Sequence, residues 1–281
     1  MRYLHLLATA ACTVLAVACQ APTTISAPEA ETAAAAGSAV APAMDRAQLL
    51  EDLRILAADD MQGRLVATAG SERARAYIIS RFQETGIEPI NDSFVSTFEF
   101  DRPDGWSPTT VGTNIIGRLR GTGDSGRVMV LSAHYDHMGE RGGQIWNGAD
   151  DNASGVAALL ATAASFAASP PEHDIVFVAF DAEEHGLRGA EAFVASPPVP
   201  IETIAFNLNL DMLAMSDERI LWAVGTYHYP FLMPVVEAVR ARSAVNLPTG
   251  FDEPSFPCRR HPLHLSRRRL SPALSRADRY L

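Results

Sequence analysis

The chain is 281 residues long, 47% apolar, and carries a formal net charge of −10 at neutral pH. That length and apolar content suffice for one substantial core, and the acidic balance excludes a body built to bind nucleic acid or an anionic membrane surface. All 23 cationic residues are arginine, which reads as coding bias rather than chemistry.

The first 19 residues read as an export signal. Arg2 supplies the positive charge, and the apolar stretch 4–18 is too short to span a bilayer. Its end has two readings. Ala16-Val17-Ala18 is a small-x-small cleavage pattern, and Ala18-Cys19 is similar to a bacterial lipobox, imperfect because Ala16 stands where leucine is usual. The expected location is therefore the bacterial cell envelope (periplasmic or lipid-anchored) or the exterior, with membrane contact only through such an anchor. Of three cysteines, Cys12 and Cys19 lie in the leader, so Cys258 has no partner for a disulfide framework. Residues 20–44 are rich in Ala, Pro, Ser and Thr, a composition that buries too little apolar surface to order itself and suits a tether.

From Asp45 the pattern is helical, with Leu49, Leu50, Leu53, Leu56 and Ala57 recurring on one side. A turn at Gly63-Arg64 leads to a second amphipathic helix over 71–85, carrying Ala74, Tyr77, Ile78 and Phe82. Strands are predicted over 113–119, 127–133, 174–180, 203–210 and 220–224, and helices over 155–168, 187–195 and 230–242. This alternation predicts an α/β fold of three layers: a mostly parallel, mixed central sheet with helices on both faces. The domain is placed at 45–253.

Polar residues cluster where strands end. Strand 127–133 runs into His134-Tyr135-Asp136, strand 174–180 into Asp181-Ala182-Glu183-Glu184, and strand 203–210 into Asp211. In open α/β sheets the C-terminal strand edge is where ligands bind. A further acidic group, Asp150-Asp151-Asn152, sits in a glycine-bounded loop before a helix. One histidine with several carboxylates suits zinc, and is too carboxylate-rich for a closed structural site. A bridging carboxylate can hold two zinc ions, and a neighbouring glutamate can act as general base. Singly, each feature has a plainer account: Asp151-Asn152 could cap a helix, Glu183-Glu184 could be surface charge, and His137, His173, His185 and His228 read as structural. Arg188 reads as an arginine lying along its helix, and Tyr135 and Trp146 as cleft lining or packing.

The motifs Ala133-His134-Tyr135-Asp136-His137, Gly148-Ala149-Asp150-Asp151-Asn152-Ala153-Ser154-Gly155, Ala182-Glu183-Glu184-His185-Gly186-Leu187-Arg188-Gly189 and Asn209-Leu210-Asp211-Met212 resemble those of the M28 metallopeptidases, zinc aminopeptidases with carboxypeptidase relatives. Gln62-Gly63-Arg64 and Gly70-Ser71-Glu72-Arg73-Ala74 are similar to that family's N-terminal region. The resemblance implies a zinc-exopeptidase-like fold, two zinc ions and a peptide substrate. It makes His134 a ligand of one zinc, oriented by Asp136, and Asp150 the bridging ligand, with a cis bond to Asp151. Glu183 becomes the base, Glu184 a ligand of one zinc, and Asp211 a ligand of the other. The expected reaction is hydrolysis of an N-terminal peptide bond, with carboxypeptidase or dipeptidase activity as the enzymatic alternative.

The pattern breaks after Glu253. The family's further histidine ligand, in a Ser-Asp-His segment, has no counterpart; the arginine-rich residues 254–281 contain Cys258, His261 and His264 but only one acid, Asp278. Either histidine is a candidate substitute ligand. The composition reads as translation in a shifted frame or a truncated gene product, which makes an inactive remnant the non-enzymatic alternative.

Overall fold

Helix α1 (Arg46–Leu56) starts where Asp45 accepts a hydrogen bond from the Gln48 amide at 3.1 Å, satisfying one of the donors that every helix start leaves free. A short 3-10 segment (Asp59–Arg64) follows, and α2 (Ala69–Glu84) is capped in the same way by Thr68. Ala74, Ile78 and Phe82 recur every four residues along α2 and are fully buried. A side chain the size of Phe82 contributes roughly 2–3 kcal/mol by leaving water. The fully buried Asp52 of α1 accepts from Tyr77 at 2.6 Å and Arg81 at 3.0 Å on α2, which fixes how the two helices cross. The computed structural model describes residues 44–101 and 109–251. The expectations for the leader, for the tether up to residue 43, and for Cys258, His261 and His264 lie outside the described residues.

Six strands form one mixed sheet: β1 (Glu88–Pro89), β2 (Val95–Phe100), β3 (Thr110–Leu119), β4 (Val128–His134), β7 (Asp174–Phe180) and β8 (Ile204–Asn209). A separate hairpin pairs β5 (Gly139–Arg141) with β6 (Gln144–Trp146). Strand β4 lies between β7 and β8, parallel to both, while β3 is antiparallel to β7, β2 and β1. Strands β4, β7 and β8 therefore deliver their C-terminal ends to one edge. Successive side chains face opposite ways: Leu131, Ala133, Ile175, Phe177 and Ala179 meet α1, α2 and α3 (Gly155–Ala168), and Val128, Val130, Val176, Val178 and Phe180 meet Phe193 of α4 (Arg188–Ala195). The core is thus double, which is why the central strands read as continuous apolar runs.

The strand expected over 220–224 does not form. Ile220 and Ala223 make only isolated parallel bridges, to Asn246 and Thr249. Leu221 and Ala223 donate to the carbonyls of Asn246 and Pro248, both at 2.9 Å, and Asn246 donates to Arg219 at 2.8 Å. The next rung of that ladder would need an amide hydrogen from Pro248, which has none. The helix expected over 230–242 is a 3-10 turn, Pro230–Leu232, followed by α5 (Met233–Arg240).

Candidate metal centre

At the end of β4, His134 is almost fully buried and its ring is held from one side. Nδ1 lies 3.1 Å from the Asp136 backbone carbonyl. A carbonyl can only accept, so Nδ1 carries the proton and Nε2 presents a lone pair. That Nε2 faces two carboxylates, Asp151 Oδ1 at 3.1 Å and Asp211 Oδ1 at 3.5 Å. A lone pair confronting two anions calls for a cation between them. Without a metal the cation is a proton: burial alone would lower the His134 pKa, but hydrogen bonding to Asp136, Asp151 and Asp211 drives it well above its ordinary value.

A second group shares Asp151. Here His137 Nδ1 lies 2.7 Å from Glu184 Oε1. In each group (His134, Asp151, Asp211 and His137, Asp151, Glu184) the ligand-type atoms all lie within 4.8 Å of one another. Imidazole nitrogen with carboxylate oxygen is a zinc donor set, so the residues present fit that ion.

The surrounding backbone is fixed by buried polar side chains. Asp136 is fully buried and accepts from the amides of Glu183, at 2.9 Å, and Glu184, at 3.3 Å. It thereby holds the loop after β7 against the end of β4. Next to it, Asp181 accepts from the Thr113 and Ala182 amides, and its pKa is pushed up to about 7 by burial first and the charge of Asp136 second. Asn152 does cap α3, accepting from Gly155 at 3.0 Å. The same oxygen takes the Met212 amide, and its amide nitrogen donates to the Leu210 carbonyl, so the acidic loop is tied to the end of β8. Gly155 permits this closeness: a Cβ there would stand 2.3 Å from both Asn152 Oδ1 and the Leu210 carbonyl.

Asp150, expected to bridge the two metals, does not join either group. Its Oδ1 accepts instead from the amides of Ala214 at 2.8 Å and Met215 at 3.2 Å, so its carboxylate braces the loop beyond Asp211. The cis bond also falls one residue later than expected, between Asp151 and Asn152. His134, Glu184 and Asp211 do come together, and Glu183, half-buried, adjoins Glu184.

Two residues at this centre carry no distinguishing signal in the sequence. His137, which reads there as structural, lies beside Glu184. Arg64, noticed only as part of a turn motif, is completely buried and donates to the carbonyls of Leu56 (2.5 Å), Asn147 (2.6 Å), Tyr135 (2.8 Å) and Gly148 (2.9 Å). It joins α1, the end of β4 and the entry to the acidic loop, and burial lowers its pKa to about 10 despite the charges of Asp136, Asp151 and Glu184. Tyr135 is packing: it is fully buried and its hydroxyl donates to the Thr113 carbonyl at 2.8 Å. Arg188 pairs with Glu191. Beside Asp211 a shallow cleft is lined mainly by apolar groups, among them Met212, Met215, Leu221, Trp222 and Phe251.

Fold and donor set together define a zinc-type centre at the C-terminal edge of an α/β sheet. The family model for peptidase family M28 matches residues 114–261, more than half of the chain. This protein belongs to peptidase family M28, a family of zinc metallopeptidases. A probable zinc metalloprotease of Pyrenophora tritici-repentis is 32% identical over 160 residues, covering 52% of this chain and 36% of that protein. The chain spans about a third of the length of the curated relatives it matches first. Two solved structures from Bacteroides thetaiotaomicron, a leucine aminopeptidase precursor and a glutaminyl cyclase, each align with a TM-score of 0.60 at 21% identity, covering 77% of this chain and 81% of theirs. At that identity they establish the shared fold.

Proposed function

We propose that this chain is an exported two-zinc exopeptidase that removes N-terminal residues from peptides. The observation that carries the reading is the pair of imidazole–carboxylate groups hinged on one shared aspartate, Asp151, at the strand edge. In this reading His134 and Asp211 would hold one zinc and Glu184 the other, with Asp151 common to both groups. Two zinc ions bound there supply Lewis acidity, polarising the scissile carbonyl and acidifying a water. Glu183 takes the proton of the attacking water and returns it to the leaving amine nitrogen as the C–N bond breaks. Asp136 keeps Glu183 in place through its amide. The apolar cleft beside Asp211 receives the side chain of the substrate's first residue. Export follows from the leader sequence, with lipidation of Cys19 as its anchored form.

Product analysis by mass spectrometry tests this reading. The full chain with zinc should shorten free peptides from the N-terminus, and fail on N-acetylated ones or after chelation. Shortening from the C-terminus would replace it with a carboxypeptidase, and cyclisation of an N-terminal glutamine without hydrolysis with a cyclase. Loss of no residue at all would leave the inactive remnant. Glu183→Gln should lower the rate by about 10²–10⁴-fold while leaving zinc content unchanged.

A further inference from the structure

We infer that His137 is itself a zinc ligand, completing the second metal seat with Glu184 and the shared Asp151. The inference rests on the two-zinc reading above and deepens it. The two groups at the strand edge have the same composition: one imidazole, one carboxylate of their own, and Asp151 in common. Three protein donors with room for a water is the usual complement of a zinc that does chemistry. The first seat has that complement in His134, Asp211 and Asp151. Among the described residues, His137 is what gives the second seat its nitrogen.

The place of His137 is built rather than incidental. The residue is 5% exposed, and its backbone amide donates to the Arg64 carbonyl at 3.4 Å. Its ring lies directly over Gly148, where a Cβ would come within 2.5 Å of the imidazole and where φ is +56°, a conformation that disfavours any side chain. The ring's hydrogen bonding is also that of a ligand in waiting. Nδ1 has one partner, Glu184, which belongs to the cluster, and the buried Nε2 has none among the described residues. A histidine kept for structure alone ordinarily satisfies both nitrogens when buried. Zinc entry releases the imidazole's cluster-facing proton to solvent and leaves a neutral nitrogen donor.

A competing role has His137 merely donating a hydrogen bond to orient Glu184. Glutamine separates the two, because its amide can donate to a carboxylate but is a poor zinc ligand. The full-length chain, His137→Ala, His137→Gln, Asp211→Asn and the His137→Gln/Asp211→Asn double variant are loaded with zinc and dialysed. Bound metal is then counted by mass spectrometry, with circular dichroism of the metal-free forms confirming that each folds. We expect about two zinc ions in the unaltered chain, about one in each single variant and close to none in the double variant, the second zinc being weakened at least ~10-fold. If the unaltered chain holds two and His137→Ala also holds two, or if His137→Gln restores what His137→Ala loses, the ligand role is overturned while the two-zinc reading stands. If the unaltered chain holds one zinc or none, both fall together. Should His137→Ala not fold, the glutamine variant alone decides.

Discussion

Asp150 and Asp151 are neighbours of identical chemistry with different work, and a sequence offers no way to tell which of two consecutive aspartates turns inward. Asp150 spends its Oδ1 on two backbone amides beyond Asp211, while Asp151 faces both histidines' groups. Asp150→Asn keeps an oxygen able to accept from Ala214 and Met215, so zinc content should stay near that of the unaltered chain. On the proposed two-zinc reading, Asp151→Asn should lose both metals, because each group includes that carboxylate; zinc counts on the two variants decide between the assignments. Arg64 poses a different problem at the same scale. Its four carbonyl partners lie on three separate segments, and a lysine's single ammonium, with three donors at one point, cannot reach them all. Arg64→Lys should therefore destabilise the fold by about 3 kcal/mol or more, since each stranded buried carbonyl costs roughly 1–3 kcal/mol. Urea unfolding would measure it, and a loss below about 1 kcal/mol would show that water replaces the guanidinium.

At the level of elements, the sequence was most legible where burial is two-sided. The apolar runs predict β7 and α3 with their observed bounds, Asp174–Phe180 and Gly155–Ala168, and β4 to within one residue. Strand β2 escaped because most of its residues are exposed and it carries no sustained apolar alternation. The expected strand over 220–224 failed through its partner, since the proline that interrupts the ladder lies about 25 residues away. The contact of His137 with Glu184 is illegible for a related reason: the two are brought together by strand pairing, which no local pattern records. Pairing of β3 with β7 has its own polar clamp, in which Asp174 accepts from the Gly121 amide at 2.7 Å and from Arg118. Burial alone would raise the Asp174 pKa, but the Gly121 and Arg118 hydrogen bonds outweigh it and hold the group below its ordinary value. A depressed folded-state pKa stabilises above the unfolded value, and that stability is lost as pH falls through the folded one. Asp174→Asn should thus be less stable than the unaltered chain by about 1–2 kcal/mol near neutrality, with the gap closing as pH drops below about 4. A gap independent of pH in urea titrations would refute the account.

On the scale of the whole molecule, the centre gathers residues from 64 to 211, so the donor set exists only after the strands have paired. Metal binding is in that sense a property of the fold and not of any segment. Among the described residues, strand β8 is the margin of the main sheet, bonded along one side to β4 and to no strand along the other. It ends two residues before Asp211, whose carboxylate stands 3.5 Å from the histidine that ends β4. A metal held between those two side chains is therefore a clasp on the sheet's last seam. Backbone amides of β8 should exchange their hydrogens slowly when zinc is present and markedly faster after chelation, while those of β7 stay protected in both states. Equal exchange in the two conditions would mean that the seam closes by itself. Otherwise a metal bound at this centre also keeps a β-edge from fraying, and from offering itself as a template to another chain.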